Sequence, residues 1–406
     1  MNKECFDEET WQKTIFDVWH LLEREHISAT LEGESAVQLQ GCSVDRTPSI
    51  RFSIQWDALE SFRAKLIENT ISEVNTTQRT HSFTFTMNGF FIEIVGYLGT
   101  VVRTDPDRLI ISVASEELAV KSLNYYLRTL EKSNPIRLAI KRYYYNLQVT
   151  DADQNGQAWN DDAYQAWINR FGTPDQAAQK IKQDPIGRLG SLSYYLKDVR
   201  GQKIMNLLGS HAGKALALAL MGAEVTVVDI SAENAAYAKH VANALDVPLN
   251  YVISDVLQLP VDQYKEKYDQ VFMELGILHY FIDLEPIADL VFNLLKPGGQ
   301  FVIQEFHPIS TKLVTTKGKR QIVFGNYFDQ SLHTRSVAFA KHLDSHHQSA
   351  EEGSRKVYLR EWTLGEIVTT FAQSGLTVRR LDEQPNMKIN DIGLPKLFTL
   401  VCAKPN

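Results

Sequence analysis

Lys203-Ile-Met-Asn206-Leu-Leu-Gly209-Ser-His211-Ala-Gly213-Lys214 is the stretch on which the reading of this chain turns. The apolar run Lys203–Leu208 reads as a strand ending at Gly209, and a helical pattern, Lys214–Met221, opens directly after Gly213. A strand that turns through glycine into a helix gathers backbone N–H groups at the positive end of the helix dipole. An anionic carboxylate or phosphate is favoured there, and glycine lets a ligand approach the backbone closely. The pair Gly213-Lys214 is not a nucleotide P-loop, because Gly209 lies too close and neither Ser nor Thr follows Lys214.

The alternation continues downstream. Glu224–Val228 is β-branched and ends at Asp229, Asn250–Ser254 ends at Asp255, Asp269–Met273 ends at Glu274, and Gln300–Gln304 ends at Glu305. Between and after them lie the helical patterns Ala232–Leu245 and Pro286–Leu295. Steady strand–helix alternation predicts a parallel sheet covered on both faces. With right-handed crossovers this becomes a doubly wound, Rossmann-like α/β sheet. Such sheets bind ligands at the carboxyl ends of their strands. Gly209, Asp229, Asp255 and Glu274 all fall there. Thr363-Leu-Gly-Glu366 reads as a capping box opening a helix through Ala372, and Thr377–Leu381 and Leu397–Ala403 as two final strands.

Asp229 follows Gly209 by twenty residues, where a carboxylate can accept both hydroxyls of a ribose. A nicotinamide cofactor would use the same pair, but the turn is not G-x-G-x-x-G. Asp255, at the third strand end, is suited to an adenine amino group. The ordered set Gly209-Ser-His-Ala-Gly213, Val225-Thr-Val-Val-Asp229-Ile-Ser, Ile253-Ser-Asp255-Val, Leu275-Gly-Ile-Leu-His279-Tyr and Leu294-Leu-Lys-Pro-Gly-Gly299 resembles class I S-adenosylmethionine-dependent methyltransferases. The resemblance covers residues from about 200 to 406. It implies S-adenosylmethionine as methyl donor, with Gly209, Ser210, His211 and Gly213 facing its methionine end. Asp229 and Ile230 would lie at the ribose, Asp255 and Val256 at the adenine, and Glu274 beside the pocket. In that family the Lys-Pro-Gly-Gly turn precedes the fifth strand. The departures are Asn206 or Leu207, where the family has an acidic residue, and His211, where it has a mid-loop glycine. His211 could donate to the cofactor carboxylate or merely fill space.

Methyl transfer is largely alignment of nucleophile, methyl and sulfur. A base is needed only if the acceptor must lose a proton. His279 and His307, just beyond the fourth and fifth strands, are the candidate bases. Glu274 and Glu305 are pocket residues or helix caps. Residues from about 308 to 356 lack a clean period and suggest a lid or inserted hairpin. There Phe324, Tyr327 and Phe328 read as lid core in preference to a cover over an acceptor. His342, His346 and His347 lack the pattern of a metal site and read as a solvated loop, and so does Lys317–Arg320. No metal site is expected.

The first part of the chain reads as an α+β domain over 1–135, followed by a helical connector over 136–200, with Thr150–Gly156 as the linker. Leu31-Glu-Gly33-Glu-Ser35, Asp45-Arg-Thr-Pro-Ser49-Ile-Arg51 and Phe91-Ile-Glu93 resemble the nucleotidyltransferase fold. In that fold a Gly-Ser helix and three strand carboxylates hold two metal ions. Here the paired carboxylate positions are Ser49 and Arg51. The resemblance therefore implies a catalytically inactive domain kept for binding or for homodimer formation.

With 406 residues, two to three domains are expected. A net charge of −7 with no strongly basic stretch argues against a nucleic-acid partner. Cys5, Cys42 and Cys402 form no disulfide framework and suit a reducing compartment. The acidic N-terminus is no signal peptide and no apolar run is long enough to span a membrane, so the cytoplasm is the expected location. The leading expectation is a methyltransferase of a small molecule. The alternatives are methylation of a protein or RNA recognised by the first domain, a non-catalytic S-adenosylmethionine sensor or scaffold, and a nicotinamide enzyme.

Overall fold

The computed structural model describes residues 7–45, 47–66, 70–318, 320–343, 356–387 and 393–406. It separates into two units, Met1–Asn146 and Leu147–Asn406. The division falls inside the helix Pro135–Trp159, which also contains the expected linker Thr150–Gly156. That expectation was wrong because the stretch is helical and Asp151 and Asn155 are buried in it, while Thr150, Asp153 and Gln154 form its exposed side. Asn155 Oδ1 accepts from Tyr358 N at 3.0 Å. In the same helix Gln148 bonds both Tyr280 O and Ile282 N.

The first unit holds a seven-stranded mixed sheet in the order β3-β4-β5-β2-β1-β7-β6. Its strands are β1 (Ala29–Glu32), β2 (Ser49–Ile54), β3 (Asn75–Thr76), β4 (Thr80–Met87), β5 (Phe90–Tyr97), β6 (Arg108–Val113) and β7 (Glu116–Lys121). β1 runs antiparallel to β2, and β2 runs parallel to β5 with Arg51 directly opposite Glu93. Arg51 grips Glu93 in a two-pronged ion pair, Nε to Oε2 at 2.7 Å and Nη2 to Oε1 at 3.0 Å. Helix Gly33–Leu39 starts at the end of β1, and the Tyr126 hydroxyl accepts from Gly33 N.

The second unit is built on β8 (Lys203–Leu207), β9 (Glu224–Asp229), β10 (Asn250–Ile253), β11 (Tyr268–Glu274), β12 (Leu295–Phe306), β17 (Thr377–Pro385) and β18 (Pro395–Ala403). The strand order is β10-β9-β8-β11-β12-β18-β17. All neighbours are parallel except that β18 opposes β12 and β17. The reversal has a simple cause: Pro385 to Pro395 is too short for a crossover helix, so β17 and β18 form a hairpin. Helices Gly213–Leu220 and Ala232–Leu245 join one apolar core, and Glu285–Leu294 and Leu364–Gln373 join the other, so both faces of the sheet are covered. The capping box Thr363–Glu366 forms as expected.

One boundary differs usefully from expectation. Lys296-Pro-Gly-Gly299 does not precede the fifth strand but bulges within it, between the pairs Tyr268–Leu295 and Gln270–Gln300. Gly298 supplies the left-handed backbone this needs (φ 75°). The insertion after β12 begins with a π-helical turn, Ile309–Leu313, and the hairpin β13 (Val314–Lys317) and β14 (Arg320–Val323). The strands β15 (Leu332–Ser336) and β16 (Lys356–Arg360) pair later in the insertion.

Candidate active site

The chain leaves β8 toward β9 on one side and returns to β11 on the other. The loops after β8 and β11 therefore diverge and open a crevice at the carboxyl ends, the standard ligand position for such a sheet. The loop after β8 is unusual. Leu208, Ser210 and Ala212 all have positive φ, at 47°, 47° and 58°, while Gly209 and Gly213 do not. A non-glycine residue in that region costs about 1–2 kcal/mol, and such strain persists where the surroundings over-determine it. Here they do. Ala212 is buried in one core and Leu208 packs against the other, so these side chains leave the crevice open.

Much of the loop's own donor capacity is spent internally. Gly209 N donates to Val228 O and Ala212 N to Gly209 O. Ser210 N donates to Asp229 Oδ2 at 2.9 Å, and Tyr251 donates its hydroxyl proton to Ser210 O at 2.7 Å. The N–H groups still available are those of the first turn of Gly213–Leu220. Asp229 is nearly saturated as well, since Oδ1 accepts from Ser231 N and Asn234 Nδ2, both at 3.0 Å. With three bonds made, a carboxylate has about one acceptor site left. Asp229 therefore has room for one ribose hydroxyl where the sequence suggested two. Burial pushes its carboxyl above the ordinary range, and the Asn234, Ser231 and Ser210 donors pull it back.

Asp255 accepts from Leu257 N through Oδ1, which caps the short turn Val256–Gln258 and leaves Oδ2 without a hydrogen bond among the described residues. Ile230 follows Asp229 at the end of β9, and Val256 packs in the core beneath the loop after β10. Glu274, at the end of β11, forms an ion pair with Lys214, the second residue of helix Gly213–Leu220.

His211 lies stacked on Phe171 (centroids 4.6 Å) and Trp167 (4.8 Å). Arg188 Nη2 lies 3.0 Å from His211 Nε2. A guanidinium can only donate, so Nε2 accepts and the proton of the neutral ring sits on Nδ1. Burial, then the nearby Arg188, Arg170 and Lys214, push the imidazole down to about 3, which keeps it neutral. His211 Nδ1, Arg188 Nε, Ser210 Oγ and Asn206 Oδ1 are all buried without a hydrogen-bond partner. Buried polar groups are normally satisfied. Four such atoms around one loop suit a site that a polar ligand completes. Sequence reading missed Arg188, since nothing marks a single arginine on a short helix before β8.

The loop after β11 is held rigidly. Glu305 is buried, and its carboxylate accepts from Gly276, Phe306, Ile277 and Leu278 N–H groups. Glu305 is thus a loop anchor. Trp362 Nε1 bonds Leu278 O, and Arg360 bonds Ile282 O. Trp159 Nε1 donates to the Tyr280 hydroxyl at 3.1 Å. This clamped loop presents His279. A Cβ on Gly276 would lie 3.5 Å from His279 Cε1 and 3.6 Å from Phe306 Cε2, so those two rings converge on one spot. Burial, aided by the positive charge of Arg335, lowers the His279 imidazole to about 4.

His307 is placed differently. It is 2% exposed, its Nδ1 accepts from Ile309 N at 3.1 Å, and its Nε2 lies 2.7 Å from Glu383 Oε1. The Ile309 bond fixes the proton on Nε2, so neither nitrogen keeps a free lone pair. His307 ties β12 to β17 and cannot serve as a base in this arrangement. Phe324 and Phe328 are 79% and 61% exposed, which removes them from any lid core, and the Tyr327 hydroxyl accepts from Leu364 N. His342 accepts from Arg170, while His346, His347 and Cys5 lie outside the described residues. Among the described residues no group of three His, Cys, Asp or Glu side chains is placed to hold a metal ion. Among the described residues no helix is long and apolar enough to cross a membrane.

Residues 208–303 match the family model for a methyltransferase domain. The matched span begins at the strained loop and ends in β12, so the second unit carries a methyltransferase domain, and the chain is an enzyme of that kind. No curated protein sequence matches the chain. Solved structures similar to it include an S-adenosylmethionine-dependent methyltransferase from Listeria monocytogenes, at 19% identity and TM-score 0.42, covering 54% of this chain and 99% of the other. Another, from Mesorhizobium loti, has 19% identity and TM-score 0.42, covering 53% and 96%. The magnesium protoporphyrin IX methyltransferase of Synechocystis, with S-adenosylhomocysteine bound, has 14% identity and TM-score 0.39, covering 63% and 99%.

Proposed function

We propose that the second unit transfers a methyl group from S-adenosylmethionine to a small, largely apolar acceptor. The observation that carries this reading is the polar crevice at the switch point of β8 and β11. It gathers Asp229, Asp255, the Lys214–Glu274 pair and the four unsatisfied polar atoms around Gly209. Its methyl donor is S-adenosylmethionine, which when bound supplies an electrophilic methyl on a sulfonium.

The protein's share is placement. First-turn N–H groups of helix Gly213–Leu220, with Ser210 and the His211 Nδ1 proton, receive the methionine carboxylate. Asp229 takes one ribose hydroxyl beside Ile230, and Asp255 accepts the adenine amino group beside Val256. Glu305 fixes the loop that sets His279 and Phe306 at the acceptor side, so alignment is built in before the acceptor arrives. His279 is neutral at physiological pH, so it can accept a hydrogen bond from the acceptor and orient it, while an imidazole lowered to about 4 is a weak base for a hydroxyl or ammonium proton. The exposed apolar side chains Val323, Phe324 and Phe328 of the insertion favour an apolar acceptor over a nucleic acid.

The first unit is proposed to be a degenerate nucleotidyltransferase fold. The Arg51–Glu93 ion pair occupies the ground where carboxylates would bind metal, which neutralises the site. Calorimetry tests the main reading: S-adenosylmethionine and S-adenosylhomocysteine bind and NAD(H) does not. Binding of NAD(H) alone refutes it.

A further inference from the structure

The end of helix Pro135–Trp159 crosses the carboxyl ends of the sheet in the second unit. Trp159 O accepts from Ser231 Oγ at 2.8 Å, and Asn160 Oδ1 accepts from Ala232 N at 2.7 Å, both just after β9. About three turns earlier Gln148 holds Tyr280 O at 3.0 Å and Ile282 N at 2.8 Å, in the loop after β11 that presents His279. The segment between therefore passes over the switch point of β8 and β11. Within it Asn155 is held by Tyr358 N of β16. At 3.6 residues per turn, Gln148, Asp151 and Asn155 lie within about 60° of one another, on the inward face of the helix.

Asp151 is the odd member of this face. Gln148 and Asn155 are spent on the fold, but Asp151 is 8% exposed and makes no hydrogen bond or ion pair among the described residues. Burial alone raises its carboxyl to about 6, and no neighbouring charge contributes. Such a carboxylate weakens the fold, since a buried charge is tolerated at low cost only when it is paired. What it lacks is a cation bearing N–H donors, and none of the described residues supplies one. A protonated amine on a ligand has both properties. The groups assigned to the donor lie on the loops after β8, β9 and β10, whereas Asp151 stands by the loop after β11, on the acceptor side. Further along the helix, Trp159 packs on Phe339 with ring centroids 5.3 Å apart and on Tyr280 at 6.4 Å, which gives that side an apolar wall.

We propose that Asp151 anchors a cationic amine on the acceptor, so that the substrate class is an amine on an apolar body. The anchor rests on the methyltransferase reading given above and adds to it the group by which the acceptor is recognised. The amine donates charge-assisted hydrogen bonds to the carboxylate, and the ion pair removes the cost of the lone buried charge. An alcohol of the same shape can donate only one neutral bond, and an acid is repelled.

The test is calorimetry on the full chain, saturated with S-adenosylhomocysteine, using phenethylamine, phenethyl alcohol and hydrocinnamate as probes. The three share an apolar body and differ in the charge of the head group. Charge-assisted hydrogen bonds of this type correspond to a roughly 10–150-fold preference for the amine over the alcohol, with the acid weakest. Asp151→Asn should abolish that preference and leave the affinity for S-adenosylhomocysteine unchanged. The same variant should melt at a higher temperature than the unaltered chain at pH 8, because it removes a buried unpaired charge; a residue kept for the fold would give the opposite shift. No preference for the amine in the unaltered chain, an unchanged preference in Asp151→Asn, or a lower melting temperature in that variant would each overturn the anchor while S-adenosylhomocysteine binding keeps the donor reading in place. If S-adenosylhomocysteine fails to bind the unaltered chain, the donor reading fails and the anchor with it.

Discussion

Glu305→Gln should destabilise the second unit by about 3 kcal/mol, although it changes one atom. In the folded chain Oε1 accepts from Gly276 N at 2.5 Å and Phe306 N at 2.7 Å, and Oε2 from Ile277 N at 2.8 Å and Leu278 N at 3.3 Å. Glutamine offers one oxygen, and its amide nitrogen must face two of these N–H groups. The cheaper orientation keeps the two short bonds and gives up those to Ile277 and Leu278. Each buried N–H left without an acceptor costs about 1–3 kcal/mol. The long Leu278 bond belongs at the low end of that range, hence the total. For a unit of this size the loss corresponds to a fall in Tm of roughly 6–12 °C. Differential scanning calorimetry should show it in one transition, and the other unit should melt unchanged. Hydrogen exchange at Ile277 and Leu278 should quicken by about two decades. A shift below about 1 kcal/mol, with both amides still protected, would refute the assignment of Glu305 as the anchor of this loop.

Asp229→Asn should cut S-adenosylhomocysteine affinity at least about tenfold, because its amide would oppose a loop N–H and release Ser210 or Ser231; calorimetry with unchanged affinity would remove Asp229 from the site. The His279 imidazole titrates near 4 instead of its ordinary 6.5, so the folded state binds fewer protons between those values. Stability contributed by neutral His279 is present above pH 6.5, falls by about 3 kcal/mol as pH drops toward 4, and levels off below. An NMR titration midpoint near 6.5 would contradict this. Ser210→Gly should stabilise by about 0.5–1 kcal/mol in chemical denaturation, since it relieves a left-handed backbone and removes a buried unpartnered hydroxyl. In the first unit, the double change Ser49→Asp with Arg51→Asp should confer manganese binding next to Glu93. Absence of binding in a folded double variant would count against the nucleotidyltransferase likeness.

The cofactor-side architecture was legible because it is written in local, ordered signals. Each parallel strand is a short β-branched or apolar run that must end where its polar residue emerges. Asp229, Asp255 and Glu274 could therefore be placed at strand ends from spacing alone. Helix Ala232–Leu245 was read to the residue because Ser231 caps it and its apolar positions repeat cleanly. What failed was decided by partners distant in sequence. Thr150–Gly156 reads as a polar linker until Tyr358 supplies the hydrogen bond that buries Asn155. His307 looks like a base until Ile309 and Glu383 occupy its ring. Arg188 is an ordinary surface arginine until the fold lays it over Gly213 and against His211.

The sequence by itself determined the class of sheet, the order of its strand ends and the turn from Gly209 to Gly213 between strand and helix, because hydrophobic period and turn chemistry are local properties. Tertiary structure decided which of those polar groups remain available to a ligand. Asp229 spends three of its bonds on its own fold, Glu305 spends four, and the left-handed positions are Leu208, Ser210 and Ala212, not the two glycines. The physical reason is that a hydrogen-bonding group has a fixed capacity, and only the folded chain shows how much of it is already used.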